Sequence, residues 1–346
     1  MTNAPGWRPE ISKLQKEVFS VSNLPYSAKL DQNESAIELD SHVKEFILEK
    51  LLELDWRRYP QADFYREAKL ALADYLKISP DELMITTGGD QVIQGCFIIS
   101  KPRVLIFEPT YPMYRLFALH NRKKVRLEIL NEVFKINPGI FNKRFDLVNI
   151  VSPNNPTGNT QSKKVVETAL EKSGIVLLDE AYYEFSNWTM KSYIKRFKNL
   201  FIARTFSKTL SMAGLRMGYC ISNKENIKIL EKVMFSPYNV NILTLTICKY
   251  INKFTGHINK VKNLIIQERS ALENSLKKMQ VKFLRSTCNF IAFKGDDKLY
   301  KYLAENGVRV RNISGLPGMK GYLRVTIGKK KENKVFITIL SGFLNK

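Results

Sequence analysis

Apolar residues recur along the chain in two different patterns. Over 41–55, Val43, Phe46, Ile47, Leu51 and Leu54 return every three or four positions, which predicts an amphipathic helix. A second helix is expected over 64–76, closed by Ser79-Pro80. Short apolar runs then take over, at 83–86, 104–107, 147–151, 175–178, 200–203 and 219–221. They lack in/out alternation, so they suit strands covered on both faces. Helical stretches separate them, and that alternation argues for an α/β fold with a largely parallel sheet. Ligands bind at the carboxyl ends of the strands in such sheets.

Past about residue 240 the pattern changes. One long amphipathic helix is expected over 241–278. Strand-like segments follow at 289–294, 308–311 and 323–327, then a terminal helix from Lys331. Residues 1–35 mix turn formers with few periodic segments and read as an arm. The expected organisation is an arm over 1–35, a large domain over 36–240 and a smaller α+β domain over 241–346.

The chain has 346 residues, 44% of them hydrophobic, enough for a substantial core and against disorder. Its formal charge is +22. The basic residues are scattered from Lys13 to Lys346, and no run exceeds Lys329-Lys330-Lys331, whereas a nucleic-acid footprint is clustered. No nucleic-acid partner is therefore expected. Cys96, Cys220, Cys248 and Cys288 show no metal-ligand spacing, and three of them sit in apolar surroundings. That fits free thiols in a reducing compartment. No signal-like segment or 18-residue apolar stretch occurs, so a cytoplasmic protein without a membrane partner is expected.

Four segments carry candidate chemistry. Thr205-Phe206-Ser207-Lys208 follows an apolar run, and Arg216 lies eight residues on. A lysine beside other cations has a lowered pKa and can attack a carbonyl, although an isolated lysine there reads as a surface residue. Ser152-Pro153-Asn154-Asn155-Pro156-Thr157-Gly158 has turn composition, and an asparagine between prolines is also a rigid donor at a strand end. Asp179 ends another apolar run, in Leu178-Asp179-Glu180-Ala181-Tyr182, where a strand-tip acid and a helix N-cap look alike. Thr87-Gly88-Gly89-Asp90 passes from strand to helix and offers backbone N–H groups to a phosphate.

Together these segments resemble the fold-type I pyridoxal-phosphate enzymes of the class I/II aminotransferases. SPNNPTG, the run from Asp179 to Phe185 and the run from Arg204 to Tyr219 carry that resemblance. Asn23-Leu24-Pro25-Tyr26, Leu30-Asp31-Gln32-Asn33-Glu34 and Arg58-Tyr59-Pro60 are similar to the histidinol-phosphate branch. The resemblance implies pyridoxal 5'-phosphate as cofactor, amine and 2-oxo acid substrates, and a homodimer that shares its active sites. Lys208 matches the lysine that bonds the cofactor and later moves the substrate proton. Asp179 matches the acid facing the pyridinium nitrogen. Asn155 and Tyr182 match donors to the phenolic oxygen, and Tyr111 the stacking aromatic. Gly89, Asp90, Thr205 and Arg216 match the phosphate cradle, to which Tyr59 would reach from the partner subunit. Arg324 and Arg311 match substrate oxyanion binders, with Arg309 as a rival for the second role. Tyr26 matches an arm tyrosine that closes over the substrate.

The chain departs from the pattern in places. Asn33-Glu34 is followed by Ser35-Ala36 where the family continues with Asn-Pro, and Gln91 follows the loop aspartate where an acid is often found. Residues 311–318 partly resemble phosphothreonine decarboxylases. The favoured reading is transfer between histidinol phosphate and 2-oxoglutarate. The alternatives are decarboxylation of an amino-acid O-phosphate, transamination of another amino acid, and a basic nucleic-acid-binding protein on this scaffold.

Overall fold

The computed structural model describes residues 25–35, 37–234 and 239–345. Most of the expected arm, including Asn23 and Leu24, lies outside these residues.

The strands are β1 (Ala28–Lys29), β2 (Leu83–Thr87), β3 (Arg103–Glu108), β4 (Lys124–Ile129), β5 (Leu147–Val151), β6 (Ile175–Asp179), β7 (Leu200–Thr205), β8 (Met217–Ile221), β9 (Phe290–Lys294), β10 (Val308–Arg309), β11 (Arg311–Asn312) and β12 (Tyr322–Thr326). Seven of them form one sheet in the order β2-β8-β7-β6-β5-β3-β4. Only β8 runs antiparallel to its neighbours, β2 and β7. All six apolar runs became strands of this sheet.

Helices cover both faces, as a sheet apolar on both sides requires. On one side lie α1 (Ser41–Leu52), α2 (Ala62–Leu76) and, in the same core, Leu105, Ile150, Leu178 and Ile202 of the strands. On the other lie α3 (Gly88–Ile99) and α4 (Met113–His120), packed on Val104, Ile106, Leu177 and Phe201. Adjacent strand residues thus point to opposite cores. Strand β4 was not anticipated. Its sequence KVRLEI alternates charged and apolar residues, and it forms the exposed sheet edge.

A second core gathers β9, β12 and part of the chain's N-terminal segment, including Ala28 and Leu30. β1 pairs in parallel with β10, so residues 28–29 extend the C-terminal region. β9, β12 and β11 form a three-stranded antiparallel sheet.

The expected single helix over 241–278 is corrected by the structure. It is α5 (Ile242–Lys249), a 3₁₀ turn (Ile251–Phe254) and α6 (Thr255–Lys278). Ile247, Ile251, Phe254 and Ile258 keep a helical spacing across the break, which hides it from a periodicity reading. Yet α5 packs with α2 in the large core, while Val261 and Ile265 of α6 belong to the second core. A tight turn redirects the chain between the two. All four cysteines are buried and unpaired. Among the described residues, no helix is long and apolar enough to cross a membrane.

Candidate active site

Lys208 stands three residues beyond the end of β7, half-buried. Its turn is fixed locally: the Ser207 N–H donates to Thr205 Oγ1 at 3.1 Å, and the Thr205 hydroxyl reaches Met217 O at 3.0 Å. Burial, then the positive charges of Arg324 and Arg216, push the Lys208 ammonium down to about 8. A sizeable neutral fraction at pH 7–8 is what a nucleophilic amine needs. The ring of Tyr182 lies 5.8 Å from Nζ.

Asp179 closes β6 on the same edge. Its Oδ1 accepts from the Ala181 N–H at 2.8 Å, and its Oδ2 accepts from the hydroxyl of Tyr114. No cation pairs with it among the described residues. Burial outweighs the two donors and raises the carboxyl to about 6. Tyr114 was not singled out in the sequence. It lies one helical turn past Tyr111, fully buried, and looks like a core residue. Tyr111 packs edge-on against it at 5.9 Å and lies close to Asp90, Asp179 and Tyr182.

The segment expected to cradle a phosphate opens α3. Thr87 at its N-cap places no side chain on the first N–H groups, so the positive end of the helix faces the site. Gly88 has φ +72, and a Cβ there would meet Arg216 Nη2 at 2.7 Å. At Gly218 a Cβ would lie 2.3 Å from the carbonyl carbon of Gly88. These two glycines let β8 press against the turn and bring Arg216 under it. Arg216 pairs with Asp90 at 3.2 Å, and both are partly exposed.

The arginines expected to bind oxyanions stand nearby, Arg324 acting on Lys208 and Arg311 on Arg324. Arg324 is 8% exposed. It donates through Nη1 to Asn155 Oδ1 and through Nη2 to the Asp31 carbonyl, each at 2.7 Å. Its buried Nε has no hydrogen-bond partner. Burial, against the partial compensation of Tyr182, lowers its pKa to about 10, with Arg311 adding to the shift. Arg311 stands directly opposite Arg324 in the β11–β12 ladder. Arg309 belongs to a different sheet and lies over the ring of Tyr26 at 4.4 Å. Asn155 uses its amide oxygen on Arg324, which leaves its NH₂ as a donor. Tyr182 accepts from Asn33 Nδ2 at 3.0 Å.

Lys208, Asp179, Tyr182, Asn155, Tyr111, Gly89, Asp90, Thr205, Arg216, Arg311 and Arg324 are thus gathered at one end of the sheet. Tyr59 and Tyr26 stand apart: Tyr59 is 68% exposed between α1 and α2, and Tyr26 is 52% exposed. Besides Tyr114, the sequence reading passed over Asp31 and Asn33 as site residues. Asp31 acts through its backbone carbonyl, which no side-chain pattern reveals.

The group fits pyridoxal phosphate on its own chemistry. An uncapped helix start with a glycine turn suits a phosphate. A buried carboxylate without a cation suits a pyridinium nitrogen. A lysine whose pKa is lowered by burial and by the nearby arginines suits an aldehyde.

Comparison with known proteins agrees. The family model for aminotransferase class I and II matches residues 20–340. A histidinol-phosphate aminotransferase of Pyrococcus furiosus is 35% identical over 325 residues, 92% of this chain and 93% of that protein. The solved histidinol-phosphate aminotransferase of Clostridium acetobutylicum superposes with TM-score 0.83 at 25% identity, over 92% of this chain and 99% of the other. The Sinorhizobium meliloti histidinol-phosphate aminotransferase, solved with pyridoxal 5'-phosphate, superposes with TM-score 0.83 at 18% identity over 99% of both chains, a likeness of fold. The chain belongs to the class I and II aminotransferases.

Proposed function

We propose that this aminotransferase carries the amino group of histidinol phosphate to 2-oxoglutarate, as a cytoplasmic homodimer with pyridoxal 5'-phosphate. The observation that carries the reading is the Arg324–Arg311 pair, set cross-strand beside a lysine of lowered pKa. Both substrates present oxyanions, and guanidinium forks bind oxyanions in a fixed orientation. The curated relatives at this level of identity are histidinol-phosphate aminotransferases.

The roles follow from position. When bound, the cofactor supplies an electrophilic aldehyde and a ring that accepts electrons. Its phosphate would be held by the N–H groups of Gly89 and Asp90, by Thr205 and by Arg216. Asp179 holds the ring-nitrogen proton in place, and Tyr114 keeps that carboxylate oriented. Asn155 and Tyr182 would donate to the phenolic oxygen, and Tyr111 would pack on the ring. Arg324, with Arg311, fixes the substrate so that its Cα lies within reach of Lys208. The Lys208 amine then removes the Cα proton and later returns one. Tyr59 completes the phosphate site of the second subunit, which accounts for its exposure in a single chain.

The test is a half-reaction. The protein is loaded with pyridoxal phosphate and given histidinol phosphate without an oxo acid, and its absorption spectrum is followed. The band of the lysine-bound cofactor should give way to that of the amine form. An unchanged band would reject histidinol phosphate, and release of CO₂ from phosphothreonine or phosphoserine would replace transamination by decarboxylation. Lys208→Ala should remove the lysine-bound band altogether.

A further inference from the structure

A chain of polar side chains joins three separate segments next to this site. Ser211, three residues after Lys208, lies 3.0 Å from His257 Nε2 in the first turn of α6 and 3.1 Å from Ser35 Oγ. His257 Nδ1 lies 3.4 Å from Asp40 Oδ2, and Lys260 Nζ is 2.5 Å from Asp40 Oδ1. Asp40 is the N-cap of α1, yet its carboxylate makes no cap hydrogen bond and turns to His257 and Lys260. Ser211 holds φ +58, a left-handed conformation that is costly for a serine. The arrangement is therefore built against two local preferences, which its contacts must offset.

The donors run one way. Burial lowers the His257 pKa against the pull of Asp40, with Lys260 and His42 acting in the same sense as burial, which favours the neutral ring. Its Nδ1–H then donates to Asp40, and Nε2 accepts from the Ser211 hydroxyl. The Ser211 oxygen is left to accept from Ser35 at 3.1 Å, in competition with the Ile37 carbonyl at 3.3 Å for the same hydroxyl proton.

Ser35 lies two residues after Asn33 and four after Asp31. Asn33 donates to the Tyr182 hydroxyl, and its N–H donates to Thr326 Oγ1 at 3.0 Å. The Asp31 carbonyl accepts from Arg324. We propose that Ser211 and His257 are positioning residues, latching segment 31–35 to the loop that carries Lys208. The latch keeps the Arg324 and Tyr182 partners in register with the lysine. Its effect on turnover rests on the aminotransferase reading, whereas the latch itself is a property of the protein without cofactor or substrate.

The test uses Ser211→Gly, because glycine adopts φ +58 without strain and the fold is kept. In the cofactor-free protein, amide hydrogen exchange over 31–37 should accelerate about fivefold, the factor that one hydrogen bond of ordinary strength carries. In the loaded enzyme, KM for both substrates should rise by a similar factor, with kcat within about twofold. His257→Leu should reproduce this, and His257→Gln, whose amide still reaches Ser211, should restore slow exchange. Unchanged exchange over 31–37 in Ser211→Gly overturns the proposal. So does an acceleration spread equally over the whole chain, which would mean general loosening. If segment 31–37 opens as expected but histidinol phosphate gives no half-reaction, the latch stands and the substrate reading falls.

Discussion

Asp179 and Glu180 are neighbours at the end of β6, and the fold surrounds them in opposite ways. Glu180 is fully buried with a complete set of partners. Arg204 donates to its Oε2 from Nε at 2.9 Å and Nη2 at 2.6 Å, the Thr189 hydroxyl donates at 2.8 Å, and the Met190 N–H donates to Oε1 at 2.8 Å. The guanidinium of Arg204 lies 3.6 Å over the ring of Tyr183. Among the described residues, Asp179 has two neutral donors and no cation. A strand places consecutive side chains on opposite faces, so one acid enters the helix-covered scaffold and the other faces the open strand ends. The satisfied pair holds the architecture. The acid with an unmet need for positive charge is the one that the proposed function sets against the ring nitrogen.

Breaking the satisfied pair should have the largest energetic effect. Glu180→Gln leaves the Arg204 charge buried without its counter-ion, so unfolding in urea should show a loss of about 3–5 kcal/mol. A loss under about 1 kcal/mol would mean that water or Tyr183 already satisfies Arg204, and the contrast with Asp179 would collapse.

Asp179→Asn should act in the opposite sense on stability and remove activity. Turnover is expected to fall roughly 10²–10³-fold, the range found when one electrostatic stabiliser of a transition state is removed. The cofactor-free variant should nonetheless be more stable at pH 8. The Asp179 pKa is raised on folding, from 3.8 to about 6. Its contribution is therefore fully present below the unfolded value and is lost as pH rises through about 6. Wild-type stability should decline across pH 4–6 relative to the asparagine variant. Glu184, raised to about 7 by its burial, declines in both proteins and cancels in the difference. Equal profiles for the two proteins would show that Asp179 carries no burial cost.

The same contrast explains how much the sequence disclosed. Residues such as Lys208, Asp179 and Asn155 stand where an apolar run ends, and the end of a buried strand is a fixed place in this class of sheet. Strand β4 has no unbroken apolar run to betray it, because an edge strand needs only one apolar face. The break at 250–254 left no signal, because both halves of the helix share one periodicity while packing on different cores. Tyr114 and Asn33 stayed hidden for a related reason. A buried tyrosine on a helix and an asparagine in a turn both have ordinary structural uses, and their partners are 65 and 149 residues away. Such pairings exist only in three dimensions.

The smallest and sharpest effect should come from Tyr114→Phe. The ring stays, so the packing against Tyr111 is kept, and only the hydroxyl donor to Asp179 is lost. That donor stabilises the charged carboxylate, and its removal moves the Asp179 pKa upward. One hydrogen bond to a charged group is worth about 1.5–3 kcal/mol, and one pKa unit corresponds to about 1.4 kcal/mol. The decline in cofactor-free stability should therefore shift to higher pH by about one to two units relative to wild type, followed by denaturant midpoints measured across pH 4–8. Glu180, on the opposite face, supplies the internal control: Tyr114→Phe should leave the cost of Glu180→Gln unchanged, so the two substitutions should be additive within about 0.5 kcal/mol. Coupling beyond that would mean that the two sides of the chain at the end of β6 communicate, and that the scaffold charge pair also tunes Asp179.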